Sequence, residues 1–160
     1  MPRIGITGHS NLTPGSVPLV AEQIRAALDA HQSDDLVGLT CLARGADQLF
    51  ARVVLDLGGS VEVVLPAADY RERKVKPDNA AEFDALISRA AVVHTMPFPK
   101  SNADAYMAAS ERILSAIDSL IAVWDGQPSG GYGGTADVVD AAKKRGIPVT
   151  VIWPDCAKRT

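Results

Sequence analysis

Six short apolar runs, separated by stretches with helical spacing, govern what this chain can fold into. The runs are Arg3–Gly8, Leu36–Leu42, Val61–Leu65, Ala91–Met96, Leu120–Trp124 and Pro148–Trp153. They read as continuous apolar segments rather than as alternating ones, which is the mark of strands covered on both faces. Strands that alternate with helices build parallel sheets, because each crossover needs a helix to return the chain. The predicted fold class is therefore α/β: a doubly wound, Rossmann-like parallel sheet of about six strands with helices on both faces. No linker, charge block or repeat interrupts the pattern, so a single domain is expected over residues 1–160.

The helices carry their own punctuation. Ser16 is placed to cap a helix with Val17, Val20, Ile24, Ala27 and Leu28 on one side. A second helix runs from Ala46 to Leu57 and stops at Gly58-Gly59. Asp78 is expected to cap a third, carrying Phe83, Leu86, Ile87 and Ala90. Ser101, with Asp104 three residues on, is expected to start a fourth bearing Tyr106, Ala109, Ile113 and Ile117. Thr135 opens the last, whose final turn holds Lys143, Lys144 and Arg145 where cations oppose the dipole. The stretch Tyr70–Pro77 (YRERKVKP) lacks apolar periodicity and reads as a solvated loop. Its four cations and one Glu leave a cationic flap over an anionic ligand as the alternative.

Composition narrows the partners. The net charge is −3, so a broad phosphate-neutralising surface is not expected and a nucleic acid is not the main partner. No apolar run approaches the length of a membrane span, and no basic segment followed by an apolar one marks a leader. Two cysteines, Cys41 and Cys156, cannot make a disulfide framework or a structural zinc site. They fit reduced thiols in the cytoplasm. His9, His31 and His94 stand in three separate segments, and no metal site is read from them.

In a doubly wound sheet, ligands sit beyond the carboxyl ends of the strands. Four loops follow from that rule. Gly8-His9 follows the first strand; the surrounding GITGHS lacks the third glycine of the dinucleotide fingerprint. His9 can meet a phosphate, donate a proton, or bond a nearby loop. Ala43-Arg44-Gly45-Ala46-Asp47 follows the second strand. Arg44, just ahead of a helix N-terminus, is a candidate phosphate clamp. Asp47 is a candidate ribose acceptor or a first-turn carboxylate. The cationic stretch Tyr70–Pro77 is the third. The fourth is the most informative: Trp124-Asp125-Gly126 leads into Gly130, Gly131, Gly133 and Gly134, then Thr135 at a helix start. Backbone amides wrapped around an anion explain such glycine density. No Gly-Lys-Ser/Thr follows, so this is not a P-loop. Asp125 can hold a ribose or a catalytic water, or fix the loop by accepting its N–H groups.

Taken together, GITGH at Gly5–His9, ARGAD at Ala43–Asp47 and AVWDG with GGYGGTADVV at Ala122–Val139 resemble the SLOG superfamily. That superfamily includes the LOG-type "lysine decarboxylase-like" proteins and DprA and YpsA relatives. The resemblance implies a Rossmann-like fold, a nucleotide or nucleotide-derived ligand, and a homodimer. For such a ligand, the loop positions already read make Gly8, His9, Arg44, Gly45, Gly130, Gly131, Gly133, Gly134 and Thr135 the expected phosphate contacts. The enzymatic branch carries a motif like P-G-G-x-G-T-x-x-E, whose Glu assists glycosidic cleavage. Here the glycines and Thr135 match, the proline is absent, and Val138 stands in place of the Glu. Asp137 is one residue early, about 100° around the helix.

Three functions stay open from the sequence. The first is binding or sensing of a phosphorylated nucleotide-like molecule, with Tyr106 stacking on a base or serving as core. The second is a nucleoside monophosphate hydrolase or transferase, with Asp125 as carboxylate and His9 or Tyr106 as proton donor. The third is a carrier of another phosphate-bearing cofactor. No cofactor is fixed by the sequence; acidic residues could hold Mg²⁺ through a phosphate.

Overall fold

The computed structural model describes residues 2–31 and 35–160. The strands are β1 (Arg3–Gly8), β2 (Val37–Thr40), β3 (Ser60–Leu65), β4 (Val92–Thr95), β5 (Ser119–Val123) and β6 (Val149–Ile152). The helices are α1 (Ser16–Asp29), α2 (Ala46–Asp56), α3 (Tyr70–Lys74), α4 (Pro77–Arg89), α5 (Ala103–Leu114) and α6 (Thr135–Lys144). All six strands form one parallel sheet in the order β4-β3-β2-β1-β5-β6. The predicted fold class is what the chain adopts.

Strand pleating sorts the core. Ile4 and Ile6 of β1, Val61 and Val63 of β3, and Ile121 and Val123 of β5 share one cluster with Val20, Ile24 and Leu28 of α1 and Phe50 and Val54 of α2. Val37, Leu39 and Val64 meet Ala109 and Ile113 of α5. Leu120 meets Met107, Leu114, Val138 and Ala142 across α5 and α6. Burial of these side chains stabilises each helix–sheet contact by about 1.5–3 kcal/mol per large aliphatic group. The sheet edges are barer than the sequence implies. Val92 and Val93 of β4, at one end of the strand order, are 49% and 44% exposed.

Four local readings are corrected. Tyr70–Lys74 is a short helix, not a loop, closed by an Arg73 N–H donating to the Asp69 carbonyl. Asn102, not Ser101, caps α5, its Oδ1 accepting from Ala105 N–H at 2.8 Å, while Ser101 bonds Asp69. Lys76 precedes α4, with Pro77 in the first turn, and the Asp78 side chain turns to Arg44. Ser16 lies inside α1 and accepts from Lys158 N–H at 2.7 Å instead of capping.

The chain winds outward from β1 through β2 and β3 to β4, then crosses back to lay β5 on the other side of β1. The direction of winding therefore reverses between β1 and β5. Their register sets Gly8 beside Val123, so the loops that follow leave the sheet together. A ligand crevice is expected at such a point.

Candidate functional site

A cavity of about 390 Å³ opens at the carboxyl ends of β1 and β5. One wall is the loop after β1, with Gly8, His9, Ser10 and Asn11. The opposite wall is the glycine loop and the first turn of α6. Asp47, Cys41, Tyr70 and Tyr106 close the side toward β2.

Two glycines have geometric reasons. Gly45 has φ of +87°, and a Cβ there would stand 2.7 Å from the carbonyl oxygen of His9. The β1 loop can thus lie flat on the start of α2, where Ala46 N–H donates to the His9 carbonyl at 3.3 Å. Gly133 has φ of +89°, the left-handed region that disfavours a side chain. Its N–H donates to Asp137 Oδ2 at 2.9 Å, and Asp137 N–H donates to Ser129 Oγ at 3.2 Å. Asp137 is thereby a clamp of the glycine loop.

At α6 the amides of Thr135 and Ala136 have no acceptor among the described residues, and neither does the Thr135 hydroxyl. Both residues line the cavity. Free first-turn amides carry the positive end of the helix dipole, so this wall favours an anion.

The cation in the cavity was not legible in the sequence. Arg159 is its only lysine or arginine among the described residues. The segment after β6 brings it there: Leu12 and Arg159 form an isolated antiparallel bridge, and Thr13 N–H donates to the Lys158 carbonyl at 3.0 Å. Arg159 Nε donates to Asp125 Oδ2 at 2.7 Å. Its Nη1 lies 3.5 Å from His9 Nδ1. On the other side of the ring, His9 Nε2 lies 3.2 Å from Asp125 Oδ1. The Asp125 backbone N–H also donates to Nε2 at 3.2 Å, so Nε2 faces both a donor and a carboxylate while Nδ1 faces the Arg159 guanidinium. Burial, then the nearby Arg159, hold the imidazole below its usual range. Trp153 meets the ring edge-on, with centroids 5.6 Å apart.

Asp125 does not line the cavity. It sits behind His9 and Arg159, and its Oδ1 also accepts from Gln127 N–H at 3.0 Å. Burial works to raise its pKa, but the Gln127 amide and Arg159 outweigh that and hold the carboxyl low. It therefore stays ionised and fixes both loop and arginine.

Asp47 is the carboxyl that does face the cavity. Burial pushes it up to about 7, opposed in part by an N–H bond from Ala43. Burial also raises the Cys41 thiol and the hydroxyl of Tyr106, the latter to about 12. Both remain protonated at neutral pH and offer polar but uncharged contacts. Tyr106 stands edge-on to Tyr70 at 6.0 Å and leans on the core.

Of the residues singled out from the sequence, Gly8, His9, Asp47, Tyr106, Gly130, Gly133, Gly134 and Thr135 line this one cavity. Gly45 supports it from behind. Gly131 is exposed on the glycine loop, and its carbonyl accepts from Gly134 N–H at 3.3 Å. Arg44 does not reach it: its guanidinium makes a two-pronged pair with Asp78, at 3.2 and 2.8 Å, beside a neighbouring cavity. Val138 is buried among Met107, Leu114 and Leu120, facing away from the ligand side. No group of three or more His, Cys, Asp or Glu that could hold a metal occurs among the described residues. Nor is any helix among them long and apolar enough to cross a membrane.

Fold and site together define a Rossmann-like α/β protein with its crevice at the reversal of winding. More particularly, it shares its fold with several solved structures. DprA from Streptococcus pneumoniae superposes with a TM-score of 0.69 at 16% identity, over 97% of this chain and 51% of that one. DprA from Helicobacter pylori, described for its single-stranded DNA binding mode, gives 0.66 at 17%, over 96% and 66%. The molybdenum cofactor binding protein of Rippkaea orientalis gives 0.63 at 18%, over 97% and 78%. The chain thus spans about half the length of the pneumococcal protein. Neither a protein-family model nor a curated protein matches the sequence.

Proposed function

We propose that this chain binds a small phosphate-bearing ligand, a nucleotide or a nucleotide-derived cofactor, and holds it without converting it. The observation that carries this is the meeting in one cavity of three anion-seeking features: the free amides of Thr135 and Ala136, the Thr135 hydroxyl, and the Arg159 guanidinium. A carrier or sensor needs no more than these. The similar structure of a molybdenum cofactor binding protein supports a carrier of a phosphate-bearing cofactor. Another similar structure is described as binding single-stranded DNA, but a net charge of −3 and a local cation favour a local ligand here. Hydrolysis finds less support. Val138 belongs to the core, Asp137 clamps the glycine loop, and Asp125 is bound to Arg159. With no cluster of protein ligands, Mg²⁺ would enter through the ligand's phosphates. In the same reading the protein forms a homodimer, as the resemblance implies, and works in the cytoplasm, where its two free thiols stay reduced.

The test is thermal unfolding with the four ribonucleoside 5′-monophosphates, joined to native mass spectrometry of the purified chain. A ligand at 100 times its dissociation constant adds about 2.7 kcal/mol. For a chain of this size that raises Tm by roughly 5–10 °C. Arg159→Ala should weaken binding about 10-fold or more, since a charge-assisted hydrogen bond is lost. Free base in the incubation would overturn holding in favour of hydrolysis. No stabilisation by any member, with no co-purifying small molecule, would overturn the site.

A further inference from the structure

We infer that the ligand carries two separated anionic groups, the second seated in a neighbouring compartment rimmed by Lys74 and Lys76. This rests on the reading of the first cavity as a phosphate site. A second cavity, of about 570 Å³, shares Ser10, Asn11, Ala43, Tyr70 and Tyr106 with the first. The two are therefore one cleft, with the two tyrosines between its halves. Leu12, Leu42 and Val75 supply apolar surface in the second half.

The cations there are sorted by their partners. Four basic residues lie in Tyr70–Pro77. Arg71 is turned outward by a two-pronged pair with Asp84, at 2.8 and 2.6 Å. Arg73 is paired with Asp69 at 3.6 Å. Arg44, on the opposite rim, is neutralised by Asp78. Lys74 and Lys76 alone of the four line the cavity, and among the described residues neither makes an ion pair within 4.0 Å. Among the described residues no Asp or Glu side chain lines it. Two ammonium groups outside any close ion pair, Lys76 within the field of Asp78, stand beside an apolar wall and raise the local positive potential. A merely solvated stretch would leave its cations pointing anywhere; this one pairs two and turns the other two to the cleft.

A phosphate at α6 and Arg159 accounts for one end of a ligand. Tyr106 in the middle offers a face for a flat ring. Lys74 and Lys76 then meet an anionic group at the far end. The chemical class is a nucleoside-like molecule with two separated phosphates on its sugar, such as a nucleoside 3′,5′-bisphosphate, and the two cavities lie within the size range of small-ligand pockets.

Calorimetric titration of the full chain distinguishes this from a single-phosphate site. The probes are the nucleoside 5′-monophosphate that stabilises the chain most and its 3′,5′-bisphosphate. The bisphosphate should bind about 10-fold tighter at low salt, and the Lys74→Gln/Lys76→Gln double variant should remove that advantage. Monophosphate affinity should stay within about 2-fold in the same variant. Both lysines are exposed, so the variant retains its fold and melting temperature. Equal affinity of the two probes in the parent chain, or an advantage that survives in the double variant, overturns the inference alone. Binding of neither probe overturns the phosphate site and this inference with it.

Discussion

The carboxyl of Asp47 lies in the cavity wall with almost no contact with water. Loss of hydration moves its pKa to about 7 from the ordinary carboxylate range. The native chain therefore keeps a proton that the unfolded chain releases between about pH 4 and 7. Stability from this group is fully present below that window and falls as pH rises through it, by up to about 1.4 kcal/mol per pH unit. Asp47→Asn removes the titration. Urea unfolding of both chains at pH 5 and 8 should show the parent losing about 2 kcal/mol or more relative to the variant. A difference that does not change with pH would contradict the burial argument. An anionic ligand beside Asp47 favours its protonated form, so binding should also tighten toward lower pH. The arginine of the site shows what single residues hide. Arg44 has the local signal of a phosphate clamp, yet Asp78 takes its guanidinium. Arg159 has no local signal, because only the pairing of residues far apart in sequence, Leu12 with Arg159, delivers it.

Among the elements, the helices with apolar spacing were readable: α1, α2, α4, α5 and α6 all lie where the periodicity puts them. The exception, α3, is five residues of YRERK without an apolar face, held by Asp69 and by the buried ring of Tyr70 rather than by pattern. Caps were read one or two residues off, since Ser, Asp and Asn all satisfy the same amide and only tertiary partners choose among them. Ser101 went to Asp69 and left α5 to Asn102. The glycine signal was stronger, because a backbone demand is local. Gly45→Ala forces a side chain into a left-handed conformation and onto the His9 carbonyl. It should destabilise the chain by about 2 kcal/mol or more in urea unfolding, beyond the 1–2 kcal/mol of the left-handed penalty alone. A change below about 0.5 kcal/mol would mean that the β1 loop does not rest on α2 as described.

For the molecule as a whole, apolar runs and helical spacing imposed a parallel sheet, but strand order is a product of crossovers that no run of residues records. The order β4-β3-β2-β1-β5-β6 places the winding reversal between β1 and β5, and so decides which loops meet. That is why Gly8-His9 and the loop before α6, far apart in sequence, share one cavity, while the Arg44 side chain falls in the next compartment. The account places one phosphate at that meeting point. Amide NMR of the isotope-labelled chain, titrated with the best-binding nucleoside 5′-monophosphate, tests this most directly. The largest shifts should fall on Ser10, Gly133, Gly134, Thr135 and Ala136, with Arg159 Nε moving alongside. Shifts centred on the β4 edge or on the far ends of the strands, with the α6 amides unmoved, would contradict it.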